Sequence, residues 1–149
     1  MKLIRVAGMG LLLSLFCVEG FAQVTSIPEE AKTNFAAQYP SAQNIEWDND
    51  VVNVNVRFDV EGKKMNAEYN NKGVWKHTYQ DHTYDQLPAG VQDGYKKSKF
   101  ADREVTEVKK VFLPGNVEQY RLKVEKNDVQ KKFLYFNPDG RLVRDANTI

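Results

Sequence analysis

The residues of this chain that could do chemistry are few, and their spacing argues against catalysis. His77, Asp81 and His82 fall in the run His77-Thr78-Tyr79-Gln80-Asp81-His82, residue types that ligate a divalent metal when a chain folds back on itself. In an extended strand, however, side chains alternate between faces, which sets His77 and His82 on opposite sides. No HExxH-type helix or cysteine pair supports them, so the run reads as a polar connection, and neither a metal nor a cofactor is expected. The carboxylate pairs Asp48/Asp50 and Glu29/Glu30 sit in a turn and in a first helical turn, where acids have local structural uses. Asp48-Asn49-Asp50 also lacks the downstream Gly and bidentate Glu of a calcium loop. Cys17 is the single cysteine, and there is no G-x-S-x-G elbow or phosphate-cradling glycine loop. The chain is therefore not expected to be an enzyme.

Composition narrows the partners. The 149 residues carry 21 Lys plus Arg against 20 Asp plus Glu, a formal charge of +1 that offers no bulk attraction to nucleic acid or to an anionic membrane. Lys2 and Arg5 precede an apolar stretch from Val6 to Val18 that is too short to span a bilayer, and Gly20-Phe21-Ala22 supplies the small residues a signal peptidase reads. Residues 1–22 are read as a cleaved signal peptide. The remainder, 23–149, has no cysteine and balanced charge, which suits a bacterial periplasm or another extracytoplasmic location, without membrane attachment after cleavage.

The elements that must position any site follow a regular order. Ser26-Ile27-Pro28-Glu29 offers a capping hydroxyl and a first-turn proline. Ala31, Phe35 and Tyr39 then form one apolar stripe that Pro40 ends. Val54, Val56, Phe58 and Val60 alternate with polar residues as a half-buried strand, and Met65, Ala67 and Tyr69 form the core side of the next. Leu87-Pro88 then repeats Ile27-Pro28 at an offset of about 60 residues, with a helical stripe at Leu87, Val91 and Tyr95. Tyr120, Leu122 and Val124 reproduce the strand stripe, Val129, Phe133 and Tyr135 continue the sheet, and Asn137-Pro138-Asp139-Gly140 makes a turn. The expected fold is α+β, a tandem repeat of helix followed by about four antiparallel strands, with the helices packed on one face of the sheet. The two repeats cover about 26–80 and 86–146.

Aromatic residues are the remaining candidates for binding. Trp47, Trp75, Tyr79 and Tyr84 cluster among polar residues in the first repeat and at its exit, and His77 lies between them. Alternation predicts one face for Trp75, His77 and Tyr79, opposite Val74, Lys76 and Thr78. That face either packs beneath a helix or meets water, where large aromatics anchor contacts.

Helix-opening Ile27-Pro28 and Leu87-Pro88, the Tyr39-Pro40 helix exit, the Gly73-Val74-Trp75 strand entry and the Asp139-Gly140 hairpin together resemble the PepSY-like, beta-lactamase-inhibitor-like family of exported bacterial proteins found in Bacteroidetes. The resemblance spans about residues 26–145. It implies tandem helix-plus-sheet units, export to the periplasm and no known enzymatic activity. The second repeat departs from the pattern, with Lys99 and Phe100 near the Tyr39 position and Leu142 in place of Trp75. The functional expectation is an exported, non-enzymatic binding or interaction module, an inhibitor or modulator of a periplasmic or cell-surface protein. Its binding residues are Trp47, Trp75, His77, Tyr79 and Tyr84. The alternative is a small-ligand or metal-responsive periplasmic protein built around His77, Asp81 and His82.

Overall fold

Two prolines bracket the first helix. In the computed structural model, which describes residues 26–50 and 52–148, α1 spans Glu29–Gln38, with Pro28 at its N-cap and Pro40 beyond its end. The expected Ser26 cap is not formed, because the helix starts one residue after Pro28, leaving Ser26 too far upstream to reach its free N–H groups. The segment read as a signal peptide, 1–22, lies outside the described residues.

Four strands follow: β1 (Gln43–Asn49), β2 (Asn53–Val60), β3 (Lys63–Asn70) and β4 (Trp75–His82). A 3-10 turn at Tyr84–Gln86 leads into α2 (Ala89–Lys96) and then β5 (Glu104–Leu113), β6 (Val117–Glu125), β7 (Lys131–Phe136) and β8 (Leu142–Asn147). Each strand pairs antiparallel with the next, in the order β1 to β8. This corrects the expected architecture. The described residues are α+β, but they form one eight-stranded antiparallel sheet with two short α-helices and not a tandem of helix-plus-strand repeats. The decisive element is the β4–β5 ladder, in which Thr78 pairs with Phe112 and His82 with Val108, so backbone hydrogen bonds run straight through the presumed boundary. A further correction concerns Val129, which stands 90% exposed in the turn before β7 and takes no part in the sheet.

Strand alternation sends one set of side chains toward the helices. Val54, Val56, Phe58, Ala67 and Tyr69 close around Ala31 and Phe35 of α1. Val108, Leu122, Val124, Leu134 and Phe136 close around Val91 and Tyr95 of α2. Register places both clusters on the same side of the sheet. Burying each large apolar side chain contributes about 1.5–3 kcal/mol, so these clusters dominate the stability of the fold. Helix α2 reaches its position through two glycines. A Cβ on Gly94 would overlap the carbonyl oxygen of Gly140, and one on Gly90 would stand 3.0 Å from the carbonyl oxygen of Asp139. The helix therefore rests its backbone directly on the β7–β8 turn.

Candidate functional site

A single backbone irregularity decides which aromatic side chains share a surface. Glu68 pairs with His77, but Tyr69 pairs with Trp75, leaving Lys76 as the extra residue of a β-bulge. The bulge resets the alternation, so Trp75 turns toward the helices while His77 and Tyr79 stay on the opposite side. The expected common face of Trp75, His77 and Tyr79 is corrected accordingly. Trp75 packs half-buried on the α1 cluster and donates its Nε1–H to Thr78 Oγ1 at 2.9 Å. Trp47 meets Phe35 edge-on, with ring centres 5.2 Å apart, and Tyr84 faces Tyr95 at 6.1 Å. Of the five residues chosen from sequence, the structure brings only His77 and Tyr79 together on the face that carries neither α1 nor α2, the helix-free face of the described residues.

That helix-free face is organised by stacked cations and rings. The Arg121 guanidinium lies 4.2 Å from the ring centre of Tyr79 and 4.4 Å from that of Phe133, and its Nη2 donates to Glu107 Oε1 at 2.6 Å. Arg144 covers Tyr135 at 3.9 Å. His77 packs edge-on against Tyr79 at 4.6 Å, with Nε2 3.7 Å from the Glu68 carboxylate. Neighbouring strands bring these residues into line: Tyr79 pairs with Val111, Val111 with Gln119, Arg121 with Tyr135 and Tyr135 with Arg144. Although neither α1 nor α2 covers this side, Tyr135 is only 7% exposed, with Arg144 lying over its ring. Such cation–π pairs each stabilise by about 0.5–2 kcal/mol, more when desolvated.

Electrostatics follow from that packing. Burial, with the Tyr135 hydroxyl beside it, pushes the Tyr79 phenol up to about 12, against the opposing pull of Arg121. Burial lowers the His77 imidazole below its ordinary 6.5, while Glu68 acts in the other direction. Three acids of this face are held by cations: Glu107 by Arg121, Glu68 by Lys76 at 2.7 Å, and Asp81 by Lys109. Arg144 has no carboxylate within ion-pair distance among the described residues. Beside the stack, Arg57, Asn66, Tyr79, Asp81 and Lys109 border a hollow of about 400 Å³.

The metal alternative meets a geometric obstacle. His82 sits on the helix side, 5.7 Å from the Tyr120 ring, with Nε2 3.1 Å from the Gln86 carbonyl oxygen. His77 is on the other side, so the two cannot share one ion. Among the described residues no three His, Cys, Asp or Glu side chains converge. Sequence reasoning missed Arg121, Phe133, Tyr135 and Arg144 as members of this stack. The available signal was an arginine between Tyr120 and Leu122 at the centre of an alternating strand, a position where its aliphatic stem must pack.

A family model described as "Putative beta-lactamase-inhibitor-like, PepSY-like" matches residues 52–144, from β2 to the arginine that caps Tyr135. The chain belongs to that family. Solved structures similar to this PepSY-like chain come from Bacteroides. A DUF2874 family protein of Bacteroides ovatus ATCC 8483 is 26% identical, with a TM-score of 0.73 over 82% of this chain and 88% of that one. A protein of Bacteroides eggerthii DSM 20697 described as "putative periplasmic" is also 26% identical, with a TM-score of 0.70 over 82% and 89%. A BLIP-like protein of Bacteroides fragilis NCTC 9343 shares the fold, with a TM-score of 0.73 over 83% and 87% at 19% identity. No curated protein matches the PepSY-like chain.

Proposed function

We propose that this PepSY-like chain is a non-enzymatic, extracytoplasmic binding module that engages a protein partner through the helix-free face of its sheet. One observation carries the reading. The Tyr79–Arg121–Phe133 stack and the Arg144–Tyr135 pair are assembled within the chain itself, on a side that neither α1 nor α2 covers. Tyrosine and arginine dominate the energetics of protein contacts, and side chains already fixed lose little entropy on docking. An acid held in an ion pair is a poor general base, and Glu107, Glu68 and Asp81 on this face are so held.

The family description supports an inhibitor or modulator role, and the fold shared with a BLIP-like protein agrees with it. Location rests on the basic, apolar and small-residue order of 1–22, and on the similar B. eggerthii protein described as "putative periplasmic". Among the described residues no helix is long and apolar enough to cross a membrane, which leaves β-barrels aside.

The test is capture from Bacteroides periplasmic extract with wild-type protein and with the double variant Tyr79→Ala, Arg144→Ala. Recovery of a partner by wild type and its loss by a variant with an unchanged circular dichroism spectrum supports the reading. Equal recovery by both removes this face from consideration.

A further inference from the structure

A net charge near zero conceals one local surplus of cations. At one end of the sheet the connection from α2 to β5 meets the β6–β7 turn and the end of β8, and a hollow of about 360 Å³ opens between them. Arg103, Lys131 and Lys132 stand in its wall with Gln130, Asn147 and Thr148, and no acidic residue among the described residues lines it.

Phe100, a core residue, gathers these cations. Lys99 lies 5.1 Å from its ring centre, Arg103 5.2 Å and Lys132 6.0 Å. The Lys131 and Lys132 side chains are only 32% and 26% exposed, so water screens their mutual repulsion less than at an open surface.

Counter-charge is short. Glu125 is shared by Lys123 at 3.2 Å and Lys131 at 3.4 Å, Asp102 is held by Lys126 at 3.0 Å, and Asp145 by Lys132 at 2.8 Å. Lys132 first, then Lys99 and Arg103, hold the Asp145 carboxyl below its ordinary range against the effect of desolvation, so one carboxylate answers three cations. Asp128 lies in the β6–β7 turn but outside the wall. Lys99 and Arg103 have no carboxylate within ion-pair distance among the described residues. Arg103 reaches only the Gln130 carbonyl oxygen, at 3.4 Å.

Two positive charges are thus left over beside a hollow walled by hydrogen-bond donors. A phosphate monoester carries a charge of about −2 near neutral pH, which matches that surplus, whereas a monocarboxylate would answer half of it. The guanidinium fork also fits phosphate oxygens two at a time. The hollow exceeds a bare phosphate and falls within the size range of small-molecule sites.

We propose that this hollow binds the phosphate group of a phosphorylated ligand, gripped by the Arg103 guanidinium and the Lys131 and Lys132 ammoniums. It shares no residue with the Tyr79–Arg121–Phe133 stack or the Arg144–Tyr135 pair, so its failure leaves the partner-binding reading untouched.

The test is calorimetric titration of the whole protein at low salt with glycerol 3-phosphate, and co-sedimentation with vesicles of phosphatidic acid in phosphatidylcholine. Saturable binding of glycerol 3-phosphate, one per chain, assigns the phosphate to a soluble ester; binding of the vesicles alone assigns it to a lipid headgroup. In either case affinity should fall at least tenfold in Arg103→Gln, Lys131→Gln. It should change less than twofold in Lys63→Gln, Lys72→Gln, which removes the same charge from exposed positions at the start of β3 and in the β3–β4 turn. Acetate at matched ionic strength should not compete. No saturable binding of either probe, equal losses in the two double variants, or competition by acetate would overturn the proposal. Should Arg103→Gln, Lys131→Gln fail to fold, Asn147→Asp, which sets an acid on an exposed wall residue, must produce the same tenfold loss.

Discussion

The guanidinium of Arg121 stacks on the ring of Tyr79 at 4.2 Å, joining β6 to β4 across the intervening strand on the side of the sheet that neither α1 nor α2 covers. Its second ring contact, Phe133, and its carboxylate partner, Glu107, make it a three-way clasp. Arg121→Met keeps much of the stem but leaves Glu107 with only its longer contact to Lys109, at 3.9 Å, and both rings without their guanidinium. The expected loss is about 1–3 kcal/mol of unfolding free energy, read from the midpoint of urea denaturation. Arg121→Lys should recover only part of it, because an ammonium cannot stack as a plane.

Thr78 is the hinge of a hydrogen-bond chain beneath α1. Thr78→Val preserves shape but strands the Trp75 Nε1–H and the Tyr39 hydroxyl in a half-buried setting. A loss of about 1–3 kcal/mol is expected in thermal unfolding, together with a shift in Trp75 emission that Thr78→Ser does not produce.

Glycine-to-alanine substitution in a helix interior ordinarily stabilises by up to about 1 kcal/mol. At Gly94 the sign should reverse, since the new methyl would collide with the Gly140 carbonyl oxygen. A loss of at least about 1–3 kcal/mol follows from overpacking. Gly73→Ala should also destabilise, through its φ of +77° and a Cβ 2.6 Å from the backbone nitrogen of Ala31. Gly62→Ala supplies the comparison: its φ is +75° with open space around it, so only backbone strain remains. Calorimetric melting of the three variants ranks them.

Two groups of the helix-free face predict the pH dependence of stability. Tyr79 is raised from 10.0 to about 12 in the folded chain, so its contribution is complete below pH 10 and lost as pH climbs toward 12. His77 is lowered from 6.5, so the unfolded chain binds its proton first, and stability declines as pH falls below 6.5. Tyr79→Phe should flatten the alkaline limb, and His77→Gln the acid limb, of denaturation midpoint against pH.

Much of the architecture was legible in the residues. Alternation in Val54, Val56 and Phe58, the stripes Ala31–Phe35 and Val91–Tyr95, and Tyr69 as a core residue all follow from period and polarity, and the structure buries each of them. What escaped was set by pairing between distant strands. The bulge at Lys76 depends on how β3 meets β4, and no local pattern announces it. Arg121, Phe133 and Arg144 acquire their roles only when β6, β7 and β8 lie side by side. The division into repeats failed for the same reason: local signals recur along the chain, but the β4–β5 ladder is a property of the assembled sheet.

That ladder has a mechanical consequence. A chain cut or stretched between His82 and Ala89 does not release two self-sufficient pieces, because each would expose a raw strand edge that its neighbour now satisfies. Heat or denaturant should therefore take the molecule apart in one sharp step.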